Sequence, residues 1–263
     1  MAQRLDEWWV IVETNKQQFA VAAKDVREIV ALPDVTAVPH CRPQNRGVMN
    51  LRGRVIPLFD MRKQFGWQSV PEELEDFCKL MGQREQDHLN WLKELEKSVV
   101  EGTEFRLAKD PHLCAFGKWY YSYHSESPWV TALLRKFEPP HNKIHALAAS
   151  VDEMVRKGNS EEALQLIESE RNGTLQEMMS LFHQLRELMR ETVKELAMVI
   201  SQTQGAFAIS VDRAVAVERV VPDMIKDVQA DPAAVEGGVV NRAVQRSSTG
   251  ALAMILEPDV FMH

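Results

Sequence analysis

Three imidazoles and one thiol stand at spacings that could bring them to a single ion. His141 and His145 are four residues apart in PPHNKIH, so on a helix both rings leave one face, with Cβ atoms about 6 Å apart. His88 precedes Cys114 by 26 residues, and Cys114 precedes His141 by 27. Each interval fits one helix, a loop and the return leg, so three helices could present ligands at one level of a bundle. Three histidines and one thiolate make the nitrogen/sulfur set that tetrahedral zinc prefers. Gly117 would let a neighbouring backbone approach closely, and Trp91 and Trp119 could wall off water. Each residue also has a plainer reading: a free cysteine packs as a small apolar residue, and tryptophans one turn away are ordinary core. His112, His124 and His183 fall outside the spacing, His183 as a face residue of the last helix and the others as loop or helix-start residues.

The elements that must position these ligands follow from periodicity. Residues 8–66 read as strands: WVIVETNKQQFAVAA alternates apolar and polar residues on either side of NKQ, a hairpin signal. From Pro71 to about Glu195 the period lengthens to that of helices, with stripes Leu89, Leu92, Leu95, Val99 and Ile144, Leu147, Val151, Met154. Asp110-Pro111 caps and opens a helix carrying Cys114. Pro139-Pro140 opens the next, Gly158 closes it, and Asn159 or Ser160 caps a last helix reaching Glu195, with Gly173 as a weak point. With the helix around His88 this predicts an antiparallel four-helix bundle. Strand character returns after Ala197. The two strand-rich blocks, IVETNKQQFAVAAKDVREIV and VISQTQGAFAISVDRAVAVERV, share an order of short strand, polar turn, Phe-Ala strand and Val-rich strand. Such a repeat suits two similar small barrels. The helical segment is then an insertion, tolerated when its ends lie close together.

The 263 residues, 45% apolar and 26% charged, are those of an ordinary globular protein. No stretch approaches the roughly 20 apolar residues of a membrane span, so no direct membrane insertion is expected. Neither is a signal peptide, and three scattered cysteines do not read as a disulfide framework; the expectation is the reducing cytosol. The whole net charge of −7 lies within residues 72–200. Between Cys41 and Lys63, six basic residues (Arg42, Arg46, Arg52, Arg54, Arg62, Lys63) face Asp60 alone. In an acidic chain without interleaved aromatics this is read as a protein-binding face and not a nucleic-acid site.

HLNW (88–91), CAFGKW (114–119) and HNKIH (141–145) resemble, in order and spacing, the signature of the chemoreceptor zinc-binding domain. That resemblance covers residues 75–195 and implies zinc held by His88, Cys114, His141 and His145. DVREI (25–29), NRGVMNLRGRVIPLFDMR (45–62) and AFAISVDRAVAVERV look like the CheW chemotaxis adaptor, over residues 6–68 and 196–262. This implies an α+β fold: two small five-stranded β-barrels interrupted by the inserted bundle, with boundaries at 1–70, 71–195 and 196–263. It also implies that Val26, Glu28, Gly47 and Arg52 stand where such adaptors meet a chemoreceptor tip and a histidine kinase (CheA-like). On the residues alone, Glu28 and Arg52 could be a surface pair of little worth and Gly47 a special backbone position.

The expected function is a chemotaxis signalling adaptor at chemoreceptor arrays whose bundle senses zinc or oxidant, hypochlorous acid by resemblance, through redox-sensing Cys114. Lys118 could favour the thiolate. A scaffold with purely structural zinc needs the same four ligands. Catalysis is not expected, because four donors close the shell and neither HExxH nor GxxxxGK occurs. Met178, Met179, Leu181, Phe182 and Leu185 offer the insert a second apolar face, which favours a homodimer.

Overall fold

The computed structural model describes residues 7–202, 205–227 and 242–261. The chain divides into two compact units, Met1–Glu72 with Lys194–His263, and Glu73–Val193. The first unit opens with β1 (Glu7–Thr14) and β2 (Gln17–Ala22), an antiparallel hairpin. Its two-residue turn, Asn15-Lys16, holds both residues at positive φ, 49° and 62°, the backbone twist that matches the strands it joins. Then come β3 (Val26–Ala31), β4 (Val35–Thr36), β5 (Asn45–Leu51), β6 (Arg54–Asp60) and the short helix α1 (Met61–Gln64). After the helical unit follow β7 (Leu196–Gln202), β8 (Gly205–Val211), β9 (Arg213–Val220), β10 (Ile225–Asp227), β11 (Arg242–Gln245) and β12 (Leu252–Ile255).

These strands form two six-stranded sheets, in the orders β10-β11-β12-β2-β1-β9 and β3-β7-β8-β6-β5-β4. The two orders mirror each other. In each, a hairpin pairs antiparallel with the third strand of the other repeat: β9 joins β1, β3 joins β7, and each junction carries a bulge. In each, too, one parallel pair joins the hairpin to the remaining strands, β12 with β2 and β6 with β8. The internal repeat is therefore real, but the lobes are not its halves, because the Val-rich strands are exchanged. The expectation of two five-stranded barrels is corrected accordingly. A short outer strand, β4 or β10, makes each sheet six-stranded, and among the described residues no pairing closes either sheet into a barrel. The polar turn at residues 203–204 lies outside the described residues.

Alternation sorts β1 onto two cores. Trp9 and Ile11 join Ala20, Val244 and Ile255, while Val10 and Val12 join Phe19, Met198, Phe207 and Ile209, which come from both sheets. Met49, Ile56, Leu58 and Val199 fill a third cluster within the other sheet. Arg62 holds Asp212 through Nε at 3.0 Å and Nη2 at 2.7 Å. Ser69 and Glu72 cap each other's backbone N–H groups, at 3.3 and 2.9 Å, a capping box that starts the first long helix. Lys63 and the Ser69 N–H hold the Glu72 carboxyl down at about 2.

The helical unit contains α2 (Val70–Glu101, which starts in the first unit), α3 (Ala115–Ser122), α4 (Pro128–Leu134), α5 (Glu138–Arg156), α6 (Ser160–Glu170) and α7 (Gln176–Thr192). The expected four helices are thus more numerous among the described residues. Ser127 caps the unforeseen α4, whose Pro128 starts it. A π-helical turn at Arg171–Leu175, around Gly173, divides the last helix. The helix expected to open at Pro111 starts only at Ala115. Leu92, Leu95, Val99, Ile144, Leu147 and Val151 are buried in one core, as their stripes require, whereas Leu89 is exposed. Met178, Leu181, Phe182 and Leu185 belong to that core too, and Met179 packs against it. The second apolar face on which a homodimer was to rest is therefore already covered. Among the described residues no helix is long and apolar enough to cross a membrane.

Candidate metal centre

His88 comes from α2, His141 and His145 from α5, and Cys114 is the N-cap residue of α3. One ligand atom from each lies within 4.8 Å of all the others. The three imidazoles are 3%, 0% and 1% exposed, while Cys114 is half-buried. Cys114 Sγ is 3.2 Å from His141 Nε2. The sequence spacing thus converges as read, except that the sulfur sits just before its helix and not within it.

Backbone carbonyls orient two of the rings. His88 Nδ1 lies 2.7 Å from the Arg84 carbonyl, and His145 Nδ1 lies 3.1 Å from that of Ala108. A carbonyl only accepts, so both rings carry their proton on Nδ1 and keep the Nε2 lone pair free. Nε2 of His88 and His145 is buried without a hydrogen-bond partner, and so is Nδ1 of His141. Leaving such atoms unsatisfied costs about 1–3 kcal/mol each. The free Nε2 lone pairs of His88 and His145, gathered with the Cys114 sulfur and the His141 Nε2 beside it, are satisfied together by one borderline-soft cation, so the donor set fits zinc.

Burial pushes the histidines toward the neutral, ligating form. His141 falls to about 3, chiefly by desolvation and then by its His88 and His145 neighbours. His145 falls to about 4 from desolvation and His88, and desolvation lowers His88 as well. Burial raises the Cys114 thiol, opposed by the Gly117 and Phe116 N–H groups and by the Arg84 charge. The Gly117 N–H donates to Sγ at 3.1 Å. Lys118, expected to assist the thiolate, is exposed.

The local chain is shaped for this contact. A Cβ on Gly117 would stand 1.8 Å from the Pro111 carbonyl oxygen, so only glycine lets the turn 110–113 lie on the start of α3. Phe116 stands edge-on to His141 at 5.0 Å and to His88 at 5.6 Å. Trp91 packs 5.1 Å from His145, and Trp119 stacks on Tyr123 at 4.7 Å. A pocket of about 450 Å³ reaches the centre, lined by Arg84, Trp91, Leu113, Cys114, Phe116 and His145 among others. The orienting carbonyls of Arg84 and Ala108 escaped sequence reading, since any residue type supplies a carbonyl. His112 stacks on Tyr121 at 4.2 Å, His124 bonds the Ser122 carbonyl, and His183 is exposed; none of the three belongs to the donor group.

Of the residues expected at a partner face, Val26, Glu28 and Gly47 lie on one sheet and Arg52 in the turn between two of its strands. Arg52 Nη2 donates to Glu28 Oε2 at 2.8 Å, with Arg52 exposed at φ 51° in the β5–β6 turn. Val26 is half-buried at the start of β3. Gly47 is buried at φ 129°, where a Cβ would meet the Thr36 carbonyl oxygen at 2.2 Å; the position demands glycine for the backbone it holds.

Residues 9–86 match the family described as CheW-like domain, and residues 88–151 the chemoreceptor zinc-binding domain. The probable chemotaxis protein CheW of Rhizobium etli is 42% identical over 61 residues, which is 23% of this chain and 39% of that protein. The chemotaxis protein CheW of Bacillus subtilis is 27% identical over 107 residues, 40% of this chain and 67% of that protein. The crystal structure of the scaffolding protein TtCheW from Thermoanaerobacter tengcongensis aligns with 98% of this chain and 94% of its own, at TM-score 0.46 and 10% identity. Four nitrogen and sulfur donors thus gather in the second matched segment, and this chain carries a segment similar to the CheW-like domain followed by one similar to the chemoreceptor zinc-binding domain.

Proposed function

We propose that the chain is a chemotaxis signalling adaptor, cytoplasmic at receptor arrays, that couples a chemoreceptor tip to a CheA-like histidine kinase. In this reading His88, Cys114, His141 and His145 hold zinc, and Cys114 makes the centre responsive to oxidants such as hypochlorous acid. Val26, Glu28, Gly47 and Arg52 belong to the partner face, with Gly47 shaping the backbone beneath it. The chain is an adaptor and not an enzyme, since its four donors leave no open coordination position.

The observation that supports the sensing role is that Cys114, half-buried where the three imidazoles are buried, lines the pocket together with His88 and His145. A purely structural site does not need its sulfur reachable. Bound zinc supplies one thing, a sulfur held as thiolate at neutral pH. The Cys114 sulfur gives an electron pair to hypochlorous acid: an S–O bond forms, the O–Cl bond breaks and chloride leaves, with the proton kept on oxygen. The sulfenic acid is a weaker donor than the thiolate, and the Gly117 N–H that held the thiolate loses most of its acceptor.

Metal analysis of the purified protein under reducing conditions tests this. One zinc per chain is expected, falling to a small fraction in Cys114→Ala. Hypochlorous acid is expected to release the metal and to change affinity for receptor and kinase fragments. An oxidised protein that keeps its zinc and binds both fragments as before overturns the sensing role.

A further inference from the structure

Ala108 lies in the segment between α2 and α3, and its carbonyl oxygen has two donors. Trp91 Nε1 donates to it at 2.8 Å and His145 Nδ1 at 3.1 Å. A carbonyl oxygen has two lone pairs, so both bonds are made together. Trp91 is 5% exposed, its ring edge-on to Phe105 at 4.9 Å and 5.1 Å from His145. The next residue, Lys109, pairs with Asp152 on α5. Five residues further on, Cys114 accepts the Gly117 N–H. The stretch 103–113 is thus tied to α2 by an indole and to α5 by an imidazole and an ammonium, and it runs directly into the sulfur.

We propose that Trp91 is a positioning residue of the metal centre, acting on His145 through the Ala108 carbonyl, and that the segment bearing this carbonyl is ordered by the state of the centre. The inference rests on the reading that the four residues hold a metal. The indole fixes where the acceptor stands. The acceptor fixes the ring plane of His145 and keeps its proton on Nδ1, which aims the Nε2 lone pair at the other donors. The coupling also runs outward. If His145 turns away, Ala108 loses one of its two bonds, and the segment is left on the indole and Lys109. Leu107 and Leu113, 42% and 60% exposed, ride on that segment at the mouth of the pocket, so the state of the centre becomes a change in an apolar surface.

Trp91→Phe in the full chain keeps the ring and removes the N–H. Zinc affinity is read by competition with a chromophoric chelator, and coordination geometry by the visible bands of the cobalt(II)-loaded protein. The expected result is about 10-fold weaker zinc binding and shifted cobalt bands, with the helical content of the metal-free variant unchanged. Unchanged affinity and an unchanged cobalt spectrum overturn the positioning role, whatever happens to stability. Should the variant not fold, hydrogen exchange on the native protein decides: residues 103–113 are expected to gain more protection from zinc than α6 does. Equal protection overturns the inference. A native protein that takes up no metal at all is seen in the same titration and counts against the metal reading itself.

Discussion

At the residue scale the centre is a trade between burial and charge. The imidazoles of His141 and His145 are held to about 3 and about 4 because the protonated rings would stand in low dielectric beside one another. Unfolded, each ring titrates near its ordinary value of 6.5. Above that pH neither state is protonated and the full folding stability is present. Below it the unfolded chain binds protons that the folded chain refuses, so stability drains away until the pH reaches the folded values. The metal-free protein is therefore expected to lose stability between pH 6.5 and about 4, by at most about 1.4 kcal/mol per pH unit for each ring, read as a falling urea midpoint. His145→Gln should flatten that slope; an equally steep slope in the variant counts against the account. The ligand types and their spacing were legible in the sequence, because side-chain chemistry and helical period are both written in it. The tautomers were not, since the carbonyls of Arg84 and Ala108 that set them depend on where the backbone passes.

At the scale of elements, the placement of Cys114 turns on a single missing methyl group. Gly117 brings its N–H to the sulfur and lies under the Pro111 carbonyl at a distance no Cβ tolerates. Gly117→Ala must push the turn 110–113 away from α3, and that turn cannot give without moving Cys114. A loss of about 1–3 kcal/mol in stability is expected from the overpacking, with zinc affinity falling alongside it. Gly82, with open space around the position of its Cβ, is the control: Gly82→Ala should leave affinity unchanged. If the two variants bind zinc equally well, the close approach is not what seats the sulfur. Close packing around Gly117 was readable as a possibility from CAFGKW. What could not be read was that α3 starts at Ala115, because the Asp110-Pro111 pair carries the same cap chemistry as a true helix start and here closes only a turn. The strand exchange escaped for a similar reason. The strands β3 and β9 have the same Val-rich pattern whichever hairpin they join, and only long-range pairing decides between a local and an exchanged partner.

At the scale of the molecule, the four donors all belong to one unit, whose folding the metal therefore stabilises. The core of the helical unit draws only on residues between Phe77 and Met189, and His88, His141 and His145 are buried beside it. Among the described residues, the three clusters of the other unit draw on Trp9–Trp67 and Leu196–Phe261. Zinc bound to the folded helical unit stabilises it by mass action, about 4 kcal/mol when free zinc exceeds the dissociation constant 1,000-fold. For a helical unit of this size, that corresponds to a shift on the order of 10 °C in its unfolding midpoint. None of the four donor residues belongs to the clusters of the sheets. Calorimetry of the full chain should therefore resolve two transitions. Chelation, or Cys114→Ala, is expected to lower the one that carries loss of helical circular dichroism, while the other stays within a degree or two. A single transition that moves as a whole on chelation would mean that the sheets unfold with the helices, and that metal occupancy sets the stability of the adaptor surface itself.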